Sequence, residues 1–158
     1  MARLMKPGER YWGMIDPHWD RVSIYDGARV FLREYRRTPE AARHLLAAHW
    51  CQSEVCNGGF HRFFSNSTGM LAPEAAAGFE AIGQRQVGSL VWRAMEFFAS
   101  SYPRDREERN AALEANEAKH PKAADPFERL DERFYALLDK EAGGWEEAAE
   151  AYAKKHGG

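Results

Sequence analysis

Cysteine is scarce in this chain, which has only Cys51 and Cys56. Five residues apart on a helix, they point about 140° apart around its axis and cannot bridge each other. No framework of paired cysteines is present, which fits a reducing compartment. Long apolar runs are missing as well. Nothing approaches the roughly 18 to 20 residues a bilayer span needs, and Met1 to Lys6 lacks the apolar stretch of a secretory signal. The expectation is a cytoplasmic protein with no membrane partner, in which the Asn66-Ser67-Thr68 glycosylation acceptor is idle. Charge of one sign is not in excess either. With 22 basic and 24 acidic side chains the net charge is −2, too small for indiscriminate binding to nucleic acid. Strand signals are few, and there is no repeat, low-complexity tract or long linker.

What the chain does have is helical period. Its 158 residues amount to about one ordinary domain and bury enough surface to fold without disulfides or metal. The pattern predicts an all-α fold, a single compact bundle of seven or eight helices around a central helix, one domain over residues 1–158. The best-bounded element is that central helix, capped by Thr38, opened by Pro39, running to about Cys56 and stopped by Asn57-Gly58-Gly59. Upstream, Phe31, Leu32 and Tyr35 sit at helical spacing behind Asp26-Gly27, although Val22 to Tyr25 also reads as a hairpin arm. Downstream come a short face of Phe60, Phe63 and Phe64, then helices over 73–82, 87–100, 105–120, 126–142 and 145–155. The closing Lys154-Lys155-His156-Gly157-Gly158 reads as a frayed end.

The segment His49 to Gly69 packs aromatics, amides, glycines and one carboxylate together. Glu54 stands in the last turn of the central helix, where the backbone dipole disfavours negative charge. The nearest compensating donors are the free N–H groups of Gly59, Phe60 and His61, with Arg62, Asn57 or Asn66 as further donors. Glu54 is then a staple between one helix end and the next helix start, and Glu54→Gln should cost roughly 1.5–3 kcal/mol. A catalytic alternative takes Glu54 as acid or base with His49 or His61 and Cys51 as nucleophile, lining a small-molecule pocket with Asn66. No nucleophile elbow, phosphate-cradling loop or dinucleotide fingerprint accompanies it, since Asn57-Gly58-Gly59 follows a helix. His49, Cys51, Cys56 and His61 point in different directions at helical spacing, and His18, His44, His120 and His156 show no ligand pattern, so neither metal nor cofactor is expected.

The run Trp50-Cys51-Gln52-Ser53-Glu54-Val55, then Asn57-Gly58-Gly59-Phe60, then Phe63-Phe64-Ser65-Asn66-Ser67-Thr68-Gly69 resembles the DNA-mimic-protein family, a domain of unknown function (DUF 4375). The likeness is densest over residues 20 to 100. It implies an all-helical bacterial protein without assigned enzyme activity, whose acidic surface imitates the phosphate backbone and occupies a transcription factor's DNA site. Imitating DNA calls for rows of carboxylates. The best local case is residues 105 to 153, with 14 acidic against 7 basic side chains. There Glu107, Glu114 and Glu117 share one helix face, and Glu128, Asp131, Glu132 and Asp139 share a face of the next, with Arg106, Arg109, Arg129 and Arg133 as interrupting partners. The functional expectation is a cytoplasmic protein-interaction module, not an enzyme. Its partner would be a basic transcription regulator bound without direct contact to nucleic acid. A homodimer is left open.

Overall fold

The computed structural model describes Lys6 and residues 8–157, and all but the last residue of the Met1 to Lys6 stretch lies outside them. The chain forms α1 (Glu9–Trp19), α2 (Ala28–Arg37), α3 (Glu40–Ser65), α4 (Ala72–Ala81), α5 (Arg85–Met95), α6 (Arg106–Lys119), α7 (Glu128–Lys140) and α8 (Trp145–Gly157). Short 3-10 turns at Ser67–Leu71 and Glu141–Gly143 join α3 to α4 and α7 to α8. The expected all-α bundle is what forms, with α3 at its centre against α1, α4, α6, α7 and α8. Among the described residues no helix is long and apolar enough to cross a membrane.

The burial pattern explains why α3 is central. Leu45, Leu46, Ala47, Ala48, Cys51, Val55, Phe60, Phe63 and Phe64 are all buried, so residues from nearly every side of the helix meet protein. Its phenylalanines carry the packing outward. Phe60 meets Phe134 of α7 edge-on at 5.3 Å, and Phe64 meets Phe98 edge-on at 5.0 Å and Phe127 at 5.3 Å. Such pairs add about 0.5–1.5 kcal/mol each beyond their burial. The α3–α4 contact is closer still: a Cβ at Gly78 would stand 2.5 Å from the His44 carbonyl, so only glycine lets α4 lie there. Glu141 caps α5, accepting from the Gln86 and Val87 N–H groups at 2.9 and 3.0 Å.

The structure departs from the sequence reading in several places. The central helix does not stop at Asn57-Gly58-Gly59. It kinks there, with Gly59 at φ +76°, and resumes through Phe60 to Ser65, so the short phenylalanine face is the second half of α3. Helix α1 was not foreseen, because Pro17 in its last turn and Gly13 in its middle break the propensity signal. Helix α5 ends at Met95, and Phe97 and Phe98 pack from the turns beyond it. Helix α8 runs to Gly157 without fraying at Lys154, and the His156 ring lies 4.3 Å from that of Tyr152. Residues 22–25 connect α1 to α2 and form no hairpin arm.

Candidate functional site

The kink in α3 organises the motif around it. Its second half begins with the Phe60 N–H, which donates to Asp131 Oδ1 of α7 at 2.8 Å. This corrects the backbone part of the expected staple, because the kink turns that N–H towards α7, while two of the further donors expected, Arg62 and Asn66, are the ones used. Glu54 Oε2 instead accepts from Arg62 Nε at 3.2 Å and from Asn66 Nδ2 at 3.1 Å, with the side chain 15% exposed. The carboxylate still ties the two halves of α3 together, through side chains rather than backbone. Gly59 has no room for a side chain, since a Cβ would meet Asp131 Oδ2 at 2.5 Å.

The C-terminal end of α3 is held by a residue that the sequence reading placed on the surface. Arg109 is fully buried. Its Nε donates to Phe64 O at 2.8 Å, Nη2 to Asn66 O at 2.8 Å, and Nη1 to Pro103 O and Arg104 O at 3.2 and 2.6 Å. Four carbonyls and the negative end of the helix dipole thus hold a cation for which burial opposes the charge. Gly69 makes space for it, as a Cβ there would lie 2.8 Å from Arg109 Nε. Arg106 stays exposed, with its Nε donating to Ser65 O at 2.8 Å. Arg109 therefore does not interrupt the acidic face of α6. Within the motif, Trp50 stacks on Trp19 at 4.9 Å, Phe60, Phe63 and Phe64 are core, and Asn57 and Gly58 are exposed at the kink.

The pocket expected around Glu54, His49, His61 and Asn66 does not assemble. Glu54 and Asn66 share a groove of about 260 Å³ with Arg62, Ser67, Thr68 and Arg106. His61 is exposed and lines a separate depression with Asn116, Glu117 and His120. His49 is surrounded by rings: Trp12 at 4.7 Å, Trp19 at 5.8 Å, Tyr11 at 6.0 Å and Trp50 at 6.1 Å. Its Nδ1 is buried without a partner, and burial pushes its pKa down to about 4. Five residues along a helix place His49 about 140° from Glu54, which is why the two part company. Cys51 is fully buried and burial pushes its thiol well up, so no thiolate sits beside His49. Among the described residues no three His, Cys, Asp or Glu side chains converge as metal ligands.

The acidic residues fall into a pattern. Projected at 100° per residue, Glu128, Asp131, Glu132 and Asp139 occupy one stripe of α7, and Arg129, Arg133 and Lys140 occupy the next stripe round. Among the described residues neither Arg129 nor Arg133 forms an ion pair, so the expected neutralisation is not made. Asp131 is partly buried against Phe60, and burial, with Asp125 and Glu128 nearby, holds its carboxyl above the usual range. Glu128, Glu132 and Asp139 are exposed, as are Glu107, Glu114 and Glu117 on α6. Glu117 and Asp125 line one depression at the C-terminal end of α6. Beyond Asp139 the stripe continues onto α8. Asp139, Glu146, Glu147 and Glu150 line an open depression of about 680 Å³ beside Cys56, and no lysine or arginine lines it. Glu150 also accepts the Tyr11 N–H at 2.9 Å. The three α8 glutamates escaped the sequence reading, although Glu146-Glu147 followed by Glu150 is a helical spacing that carries the signal.

Fold and flank together define an all-α protein in which the end of α7 and the start of α8 bring four carboxylates to one depression. A model of the DMP19-like protein family matches residues 36–156, and the chain belongs to that family, one of DNA-mimic proteins. The match starts within α2, leaves α1 outside, and extends through the acidic C-terminal helices, well beyond residue 100. No curated protein and no solved structure matches.

Proposed function

We propose that the chain is a single-domain, cytoplasmic protein-interaction module that presents the carboxylates of α7 and α8 to the basic face of a DNA-binding regulator. The observation that carries this reading is the depression lined by Asp139, Glu146, Glu147 and Glu150 with no basic side chain in its wall. It continues the α7 stripe, where Glu128 to Asp139 set four carboxylates along about 16 Å of helix axis. That is a mean spacing of about 5.5 Å, wider than the roughly 3.4 Å along a single DNA strand. A net charge of −2 is no obstacle, because the partner meets the flank and not the average. Glu107, Glu114 and Glu117 of α6 extend the surface past Asp125. Family membership supports the same reading. The activity is binding, and no catalytic step is assigned.

The test is affinity capture from a cell extract at low salt, followed by reconstitution with the purified partner. Glu128→Lys combined with Glu132→Lys and Glu147→Lys should abolish the complex, moderate salt should weaken it, and duplex DNA should compete for the partner. These three side chains are exposed and, among the described residues, accept no hydrogen bond from the backbone, so the fold should persist by circular dichroism. A complex indifferent to the charge reversals, to salt and to DNA would overturn the proposal.

A further inference from the structure

Helix α1 is fastened to the bundle less firmly than its neighbours. Two of its 11 residues, Tyr11 and Ile15, are buried, against six of the 11 residues of α5. Gly13 and Pro17 lower its own helix propensity, and Gly8 opens it with no side-chain cap. A helix this short does not persist alone in water, so α1 is helical only while it is docked on α3 and α8. Beyond it the chain bends without helix through residues 20–27, where Val22 and Ile24 are seated in the core. What α1 covers on α3 is polar at two points. Its Tyr11, Trp12 and Trp19 rings close over His49, and Trp19 stacks on Trp50. His49 Nδ1 and Trp50 Nε1 are both buried there without a partner. A buried group that lacks its hydrogen bond carries its full desolvation cost, and water removes that cost once the cover lifts.

We propose that residues 8–21 form an acid-sensitive strap, which lifts from α3 and α8 as one unit when His49 takes up a proton, while the rest of the bundle stays folded. The closed form disfavours the imidazolium because burial opposes its charge, and the open form gives the ring to solvent. The groups that face the ring are Tyr11, Trp12 and Trp19 from α1 and Trp50 from α3. Tyr11 is the titratable one among them, and burial, with Glu146 and Glu150 of α8 nearby, keeps it neutral. His18 titrates on α1 itself, beside Arg21 at 2.9 Å. Lifting also breaks the bond from the Tyr11 N–H to Glu150 Oε1, which frees one carboxylate in the wall of the acidic depression. The strap needs no partner bound there, so it stands or falls independently of the proposed interaction.

Hydrogen exchange of the full chain, followed by mass spectrometry at pH 7.5, 6 and 5 with each rate divided by its intrinsic value, tests the strap. At pH 7.5 the α1 amides should be roughly a hundredfold less protected than those of α4 and α5, the mark of an opening smaller than global unfolding. Between pH 7.5 and 5 the α1 protection should fall about thirtyfold, the factor for an imidazole that titrates near 6.5 when open and about 4 when closed. His49→Leu and His49→Gln keep the position neutral and leave His18 in place, so α1 protection in each should change by less than about threefold. Circular dichroism at pH 7.5 checks that both variants are folded. Equal protection in α1 and α4, a parent as insensitive to pH as the variants, or variants as sensitive as the parent would each overturn the assignment.

Discussion

The ring cage around His49 makes the protein's stability depend on pH in a calculable way. Burial holds the imidazole at about 4 in the folded chain, against an ordinary 6.5. Above pH 6.5 the ring is neutral whether folded or not, and the contribution to stability is complete. As pH falls below 6.5 the unfolded chain takes up a proton that the folded chain refuses until about pH 4. The loss reaches about 2 kcal/mol at pH 5 and about 3 kcal/mol below pH 4. Against a typical total of about 5–15 kcal/mol this is readily measured. Other groups titrate over the same interval, so the comparison is with His49→Leu, which keeps an apolar side chain of similar size among Tyr11, Trp12, Trp19 and Trp50. Urea denaturation at pH 7.5, 6 and 5 should show the variant gaining about 2 kcal/mol on the parent between the first and last of these. Tryptophan emission should report the same change, since three of the five tryptophans surround this ring. Parallel stability curves for the two proteins would mean that the imidazole finds a proton partner in the fold, and the reasoning would fail.

Substitutions at three further positions test the supports of the α3 kink. Arg109→Met removes the donor to four carbonyls at the end of α3, and should cost more than about 3 kcal/mol in urea denaturation. Asp131→Ala strands the Phe60 N–H and should cost about 1–3 kcal/mol, whereas Asp131→Asn, which keeps an acceptor oxygen, should cost measurably less. Glu54→Gln should cost only about 1 kcal/mol, because Arg62 is half-exposed and the glutamine oxygen still accepts from Asn66. A midpoint shift as large as that of Arg109→Met would show that Glu54 bears more of the kink than its two bonds indicate.

The bundle itself was legible because helical period and Pro-to-Gly punctuation speak directly to local structure. Pro73 and Gly83 bracket α4 as read, and Asp105 caps α6 by accepting the Glu108 N–H at 3.3 Å. The kink was legible as a break and misread as an end. Two glycines announce non-helical backbone, but whether the chain stops or resumes depends on Asp131, which lies 71 residues away from Phe60 in sequence. Arg109 shows the same limit. Its spacing puts it among solvent-facing charges, and only the tertiary arrangement of Phe64, Asn66, Pro103 and Arg104 gives it a reason to be buried. Of the candidate site, the acidic α7 stripe could be read from spacing alone. Its continuation on α8 depends on how the turn at Glu141–Gly143 brings α8 alongside, which no periodicity encodes.

The break at Gly58 and Gly59 also has an electrostatic outcome. With the Phe60 N–H engaged by Asp131, the peptide ladder of residues 40–57 terminates part-way along the rod, at the exposed Cys56, instead of at its far end. Aligned peptide units leave about half a negative charge at such a terminus. It emerges beside Asp139, in the wall that Cys56 shares with the α8 glutamates. Main chain therefore supplements the side-chain potential there, and that portion persists whatever residues are exchanged on α7 and α8.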